Sequence, residues 1–486
     1  MRKTTNFNKD WYFILEDNPT FSGQEADENS FRKLNLPHDW SVDYAPQENE
    51  KTGGGGGYAK SGIGWYRKHF TMERPAEKEK IYLYFEGIYM DSTVYVNGKE
   101  AGGYGYGYTS FYVDVTKLVR EGENLVAVRV KNDLVPNSRW YSGSGIYRDV
   151  YLVRTNEIHF DHFGVRCATN GIYPKQDTAL LQIRAQVVND GSTAENVGVL
   201  HKIYDRDGKL VSTSGIALYL EPGESSDCMV RPTVEAPHLW TDEDPYLYTL
   251  VSTVVADGRE LDSFTCKTGI RTAVFDADRG FLLNGGTVKI KGMCVHHDCG
   301  LTGAVGYRES WERRLKELKD MGCNGIRCSH NPPAPVLLDL CDELGFLVMD
   351  EAFDEWLLAK NKTDNYYSES LAYGSSMFFT NHAKEDLTAM LRRDYNHPSV
   401  VIWSIGNEIP EQSSVDGVKI LKFLQDICHQ EDSSRMVTSA CDNIAAVEPI
   451  RTLREFENAL DVVGYNYVGR WRERAETFYE EDRKGY

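Results

Sequence analysis

At 486 residues the chain is too long for one ordinary domain and long enough for two to four, each with its own core. Its 54 basic against 73 acidic residues leave a net charge of −19, which repels phosphate backbones and anionic membranes and so argues against nucleic acid or a membrane surface as a partner. The ten cysteines form no CxxC pair and read as buried free thiols, with no disulfide framework and no structural zinc. The opening MRKTTNFNKDWYF holds no apolar run of signal-peptide length, and no stretch approaches the ~18 apolar residues of a spanning helix. These features predict a cytoplasmic chain, or a periplasmic or secreted one whose leader has been removed.

From Phe7 to about Arg154 the pattern is of short alternating strands broken by Gly, Asn and Asp. Examples are Lys80 to Ile88, Ser92 to Gly102 with Asn97-Gly98 as a hairpin turn, and Asn124 to Asn132. This predicts a jelly-roll β-sandwich over 1–155. The glycines from Gly53 to Gly57 predict a mobile loop and not a phosphate cradle, since no Lys-Ser or Lys-Thr follows them directly.

A second all-β block over 156–273 shows alternation in Leu180 to Gly191 and Leu247 to Gly258, with a polar turn at Asp205 to Gly208. About seven short strands at this spacing predict an immunoglobulin-like sandwich with an architectural role.

From 274 to 486 apolar strands alternate with amphipathic helices. Strands are predicted at Val288 to His296, Asn324 to Ser329, Phe346 to Ala352, Val400 to Ile409, Met436 to Cys441 and Asp461 to Tyr467, and helices at Ser310 to Met321, Val336 to Leu344, Thr380 to Arg393 and Val415 to His429. Repeated βα units mean a parallel sheet, here a (β/α)-type barrel that stops after six strands. Its strand ends carry His296, Arg327 with His330, Glu351, Asn407 with Glu408, Cys441 with Asp442, and Tyr467. Six polar tips on one face suit a substrate made of hydroxyls, because buried polar groups cost free energy unless paired. Taken on residue type alone, Glu408 is either a solvated cap of the following helix or an acid kept protonated by apolar walls.

The wording around it separates these readings. VVIWSIGNEI from Val400 to Ile409, preceded by RRDYNHPS from Arg392 to Ser399, resembles the acid/base signature of glycoside hydrolase family two, the β-galactosidases, β-glucuronidases and β-mannosidases. The resemblance implies that Glu408 is the general acid/base and that Asn407 contacts the sugar 2-hydroxyl. PHDW at Pro37 to Trp40, GIGWYRKHF at Gly62 to Phe70 and RWYSGSGIYRDVYL at Arg139 to Leu152 resemble the family's sugar-binding domain, which implies that Asn137, Ser138 and Arg139 lie near the bound sugar. GMCVHHD places His296 at a sugar-contacting position, although it departs from the family's usual Asn-Arg-His-Glu order. RCSHNP places Arg327 and His330 in the catalytic subsite, and MDEAFDEW places Glu351 beside the acid/base.

Metal-dependent β-galactosidases of the family bind magnesium through a Glu and a His just after that strand. Glu355 fills the first position but Leu357 stands at the second, so no metal and no other cofactor is expected to be required. The family's nucleophilic Glu sits at the seventh barrel strand, and no counterpart is recognisable here; Glu476, Glu480 and Glu481 read as the solvated face of a charged helix. An open barrel leaves strand edges unpaired, which predicts a chain that is either poorly stable alone or associates with itself as a homo-oligomer. The expected activity is that of a retaining exo-β-glycosidase acting on a β-galactoside. The alternatives are a β-glucuronidase of the same family and a noncatalytic carbohydrate-binding protein with a degenerate barrel.

Overall fold

The computed structural model describes residues 2–363, 373–444, 446 and 449–467. The charged segment after Tyr467, expected as a helix, lies outside them. The N-terminal block is a jelly-roll sandwich. One sheet pairs Lys3–Asn6, Val150–Asn156, Glu79–Phe85 and Phe111–Asp114, and a six-stranded sheet faces it with the long pair Gly62–Met72 and Gly122–Asn132 near its centre. Asn97 and Gly98 both take positive φ, 51° and 81°, as a tight hairpin turn between Ser92–Val96 and Lys99–Tyr104 requires. The glycine run is not a free loop. It folds into successive turns, with Gly57 N donating to Gly54 O at 3.0 Å and Tyr58 N to Gly53 O at 2.9 Å. A Cβ on Gly55 would stand 3.4 Å from the Arg139 carbonyl, so the run backs the loop that carries Arg139.

The second block is a sandwich of two four-stranded sheets with eight strands between Ile158 and Thr268. It grips the third block through Arg271, whose Nε and Nη2 donate to Pro398 O and Val400 O at 3.0 and 2.6 Å. The RRDYNHPS segment belongs to the same joint. Asn396 Nδ2 donates to Val165 O at 2.8 Å and its Oδ1 accepts from Cys167 N at 2.7 Å.

The third block is a parallel sheet in sequential order: β1 (Gly292–Val295), β2 (Gly325–Cys328), β3 (Leu347–Glu351), β4 (Val400–Asn407), β5 (Met436–Cys441) and β6 (Val462–Tyr465). The connecting helices are α1 (Arg308–Asp320), α2 (Pro335–Leu344), α3 (Ser376–Asp394), α4 (Val415–Glu431) and α5 (Arg454–Ala459). Every residue of β4 is buried, as expected of a strand covered on both faces. The first strand is shorter than its apolar pattern predicts: Val288 N donates to Phe281 O at 2.9 Å, continuing the hairpin of Gly286–Thr287 with Gly280–Leu283, and the parallel ladder starts only at Gly292. Helix α5 carries no sequence signal long enough to announce it.

Among the described residues the barrel is a half-barrel of six strands. Its inner side carries an apolar hollow of about 640 Å³ between Phe281, Met293, Ile326, Val401 and Val463. All ten cysteines are free. Six are buried as expected, but Cys294, on β1 beside that hollow, is exposed. Among the described residues no helix is long and apolar enough to cross a membrane.

Candidate active site

The strand ends converge on Glu408. Strand β4 stops at Asn407, and Glu408 takes φ 48°, the left-handed region that a non-glycine residue adopts only when its surroundings fix it. Two backbone bonds do so: Asn407 N donates to Phe353 O at 3.0 Å and Glu408 N to Ala440 O at 2.7 Å. Gly406 is required for this turn, since a Cβ there would fall 2.6 Å from Ile409 Cγ1. Glu408 is not the cap of the next helix. Ser414 is, accepting from Gly417 N at 3.0 Å. The Glu408 side chain is 12% exposed at the mouth of the sheet; Asn466 Nδ2 donates to its Oε1 at 2.8 Å, and Arg139 Nη1 lies 3.9 Å from its Oε2.

Below it Glu351, fully buried, accepts Arg327 through both oxygens, His330 Nδ1 at 2.5 Å and Ser404 Oγ at 2.6 Å. Burial works to raise the Glu351 carboxyl, but the Arg327 charge and His330 outweigh it and hold it below the usual carboxylate range. Its oxygens are committed, so it acts as the anchor of Arg327 and His330 and is not free as a nucleophile. Arg327 Nη2 also donates to Asn407 Oδ1 at 2.8 Å.

His296 and His330 meet edge to face, with ring centroids 5.4 Å apart, and Trp140 stands 5.1 and 5.6 Å from them. Burial and the neighbouring His330 push the His296 imidazole below its ordinary value, so it is a neutral donor and acceptor at neutral pH. Tyr467, next to Asn466, is 48% exposed. Arg139 comes from the first domain and reaches into this cluster, whereas Asn137 is spent on its own loop, donating to Asn132 Oδ1 and Leu134 O and accepting from Tyr89. Ser138 Oγ accepts from Trp140 N at 3.3 Å and steadies the same loop. Cys441 is buried, and Asp442 holds Gln412 at 2.8 Å. The PHDW motif serves the architecture. Its buried Asp39 accepts from Tyr141, Ser144 N and Ala304 N, tying the first domain's loop to the barrel.

Sequence reasoning missed Asp354, Lys360, Ser404 and Asn466. Three of them had a signal: Asp354 stands in MDEAFDEW, Ser404 in VVIWSIGNEI, and Asn466 one residue before the chosen Tyr467.

Glu355 does not fit a divalent metal. Its buried carboxylate accepts the Lys362 ammonium at 2.7 Å, Lys360 N at 2.9 Å, and Ser375 Oγ and Ser376 N at 3.2 Å. A dication there would sit against an ammonium. Among the described residues no group of three His, Cys, Asp or Glu is placed to hold a metal.

Two β-sandwiches fastened to a parallel α/β sheet, with carboxylates gathered at its strand ends, define a multidomain protein of the glycoside hydrolase class. The chain belongs to glycosyl hydrolases family 2. Residues 57–156 match its sugar-binding domain, 166–271 the domain described simply as glycosyl hydrolases family 2, and 275–483 its TIM barrel domain. It is 40% identical to the β-galactosidase BoGH2A of Bacteroides ovatus over 96% of this chain and 57% of that one. It is 37% identical to a putative β-glucuronidase of Formosa agariphila over 91% of this chain and 40% of that one. A crystal structure of a family 2 member from Bacteroides cellulosilyticus superposes with a TM-score of 0.90 at 36% identity, covering 98% of this chain and 60% of that one. The chain therefore spans 40–60% of the length of these relatives.

Proposed function

We propose that this chain belongs to a retaining exo-β-glycosidase that removes terminal β-galactosyl residues. The observation that carries the reading is the placement of Glu408 at the tip of β4, partly exposed and clamped by Asn466, beside an Asn407 amide whose second hydrogen meets no acceptor among the described residues. In this mechanism Glu408 protonates the departing oxygen and then activates water, while Asn407 strengthens its bond to the 2-hydroxyl in the oxocarbenium-like transition state. Arg327, His330, His296, Tyr467 and Arg139 line the subsite, and Glu351 orients the first two. The nucleophile is a second carboxylate about 5 Å from Glu408, as retention requires. It belongs to a barrel strand beyond the six described. Among the relatives, the β-galactosidase BoGH2A favours a galactoside.

The test uses the full-length protein containing this chain, assayed on aryl β-galactoside and aryl β-glucuronide. Preferential hydrolysis of the galactoside, and loss of turnover with retained sugar affinity in Glu408→Gln, support the reading. Preference for the glucuronide transfers the assignment to β-glucuronidase, and sugar binding without turnover on either substrate makes the protein a carbohydrate binder. The 486-residue chain alone is expected to have little or no turnover; robust hydrolysis by it refutes the placement of the nucleophile.

A further inference from the structure

We infer that Asp354 is a positioning residue of this site, the carboxylate that orients the Asn407 amide and seats two cations, Lys360 on the Asn407 carbonyl and Arg139 beside the Glu408 carboxylate. The inference rests on the assignment of Glu408 as the acid/base. Asp354 lies three residues after β3 in the segment that leads to α3, and it is buried. Its Oδ1 accepts Arg139 Nη2 at 2.7 Å, Lys360 Nζ at 2.8 Å and Asn407 Nδ2 at 2.8 Å, and its Oδ2 accepts Arg139 Nε at 3.1 Å. Three of the four bonds fall on Oδ1 and one on Oδ2, so Oδ1 is fully engaged and the carboxylate is held from three residues at once. Burial alone would raise its carboxyl, but Lys360 and Arg139 outweigh burial and hold it far below the usual range, so it stays an anion.

Three consequences follow from this geometry. The Asn407 amide is pinned at both ends, its nitrogen on Asp354 and its oxygen under Arg327 and Asn466 at 2.8 and 3.1 Å, which decides which way the amide faces. One of its two N–H groups is thereby committed and the other is left for a ligand. Lys360 Nζ, the second cation, also donates to Asn407 O at 2.6 Å, bracing the peptide that carries Glu408. Arg139 spends Nε and Nη2 on Asp354 and turns Nη1 toward Glu408, so the first domain contributes to the site by holding and polarising it.

The experiment is run on the full-length protein with Asp354→Asn, Lys360→Met and Lys360→Arg, reading kcat/KM and the thermal midpoint. Misplacing Asn407 in Asp354→Asn is expected to lower kcat/KM on an aryl β-glycoside by roughly 10²-fold. On the matching 2-deoxy glycoside, which lacks the hydroxyl that Asn407 reads, the loss should be within about threefold. Lys360→Met should be impaired on a phenyl glycoside, whose poor leaving group needs the acid, far more than on a dinitrophenyl one. Lys360→Arg should restore much of the loss. Equal losses on 2-hydroxy and 2-deoxy substrates that track a fall in thermal midpoint, or wild-type kinetics in both variants, overturn the inference. Should Asp354→Asn fail to fold, the leaving-group comparison in Lys360→Met decides alone. Silent Asp354 and Lys360 variants beside a dead Glu408→Gln refute only the inference. A fully active Glu408→Gln, or a wild type inert on every aryl β-glycoside, refutes the acid/base assignment and this inference together.

Discussion

Asn466 Nδ2 stands 2.8 Å from Glu408 Oε1 and 3.1 Å from Asn407 Oδ1, so one amide at the end of β6 holds the two polar residues at the tip of β4. Replacing it by Ala leaves Glu408 Oε1 without this donor and free to change rotamer. Asn466→Ala in the full-length protein is expected to reduce kcat/KM by roughly 10–100-fold, as loss of orientation alone does. The thermal midpoint should change little, because the residue is only partly buried. Steady-state kinetics beside a melting curve checks both.

Glu351 and Arg327 form a buried, bidentate pair under the site. Glu351→Gln removes the charge and leaves Arg327 without compensation, which should cost about 3–5 kcal/mol of stability. Urea unfolding of the 486-residue chain measures this without any need for turnover. A midpoint unchanged from wild type would mean that Arg327 finds another anion.

His397 Nδ1 donates to Asp342 Oδ2 at 2.6 Å at the joint between the second sandwich and the barrel. Burial lowers the imidazole, but Asp342, with Asp394 and Asp339 behind it, outweighs burial and raises it to about 9. The unfolded value is about 6.5, so the stabilisation is fully present below about pH 6.5 and is lost as pH rises through about 9. The thermal midpoint is expected to fall across that window in the wild type. His397→Gln should flatten the fall.

Lys362 occupies the place beside Glu355 that a cation would otherwise claim, and both side chains are almost wholly buried. Lys362→Met strands that carboxylate and is expected to destabilise the chain by about 3–5 kcal/mol. Chelator should leave the wild-type thermal midpoint unmoved. A rise on adding magnesium would show that Glu355 accepts a metal after all.

Much of the fold was legible because it rests on short-range pattern. The run Val400–Ile405 reads as a doubly covered strand from β-branching and apolarity alone, and the structure buries all of it. Asn97-Gly98 specifies its turn through the backbone angles it permits. Helix α5 and the true start of β1 were not legible, because six residues carry too little periodicity and because Val288 bonds back to Phe281 of the preceding hairpin and not to the parallel sheet. The glycine run was misread for a related reason, since its turns are held by packing against the loop of Arg139.

The sequence by itself determined that three modules stand in order, that the third is a parallel α/β sheet, and which carboxylate ends its fourth strand, all properties of residues close together along the chain. Only the tertiary structure decided what surrounds that carboxylate. Asp354 meets Arg139 across 215 positions and Asn466 meets Glu408 across 58, and no periodicity encodes such pairs. They form because a buried charge or amide must find a partner wherever folding brings one within reach, and that constraint acts in space and not along the chain.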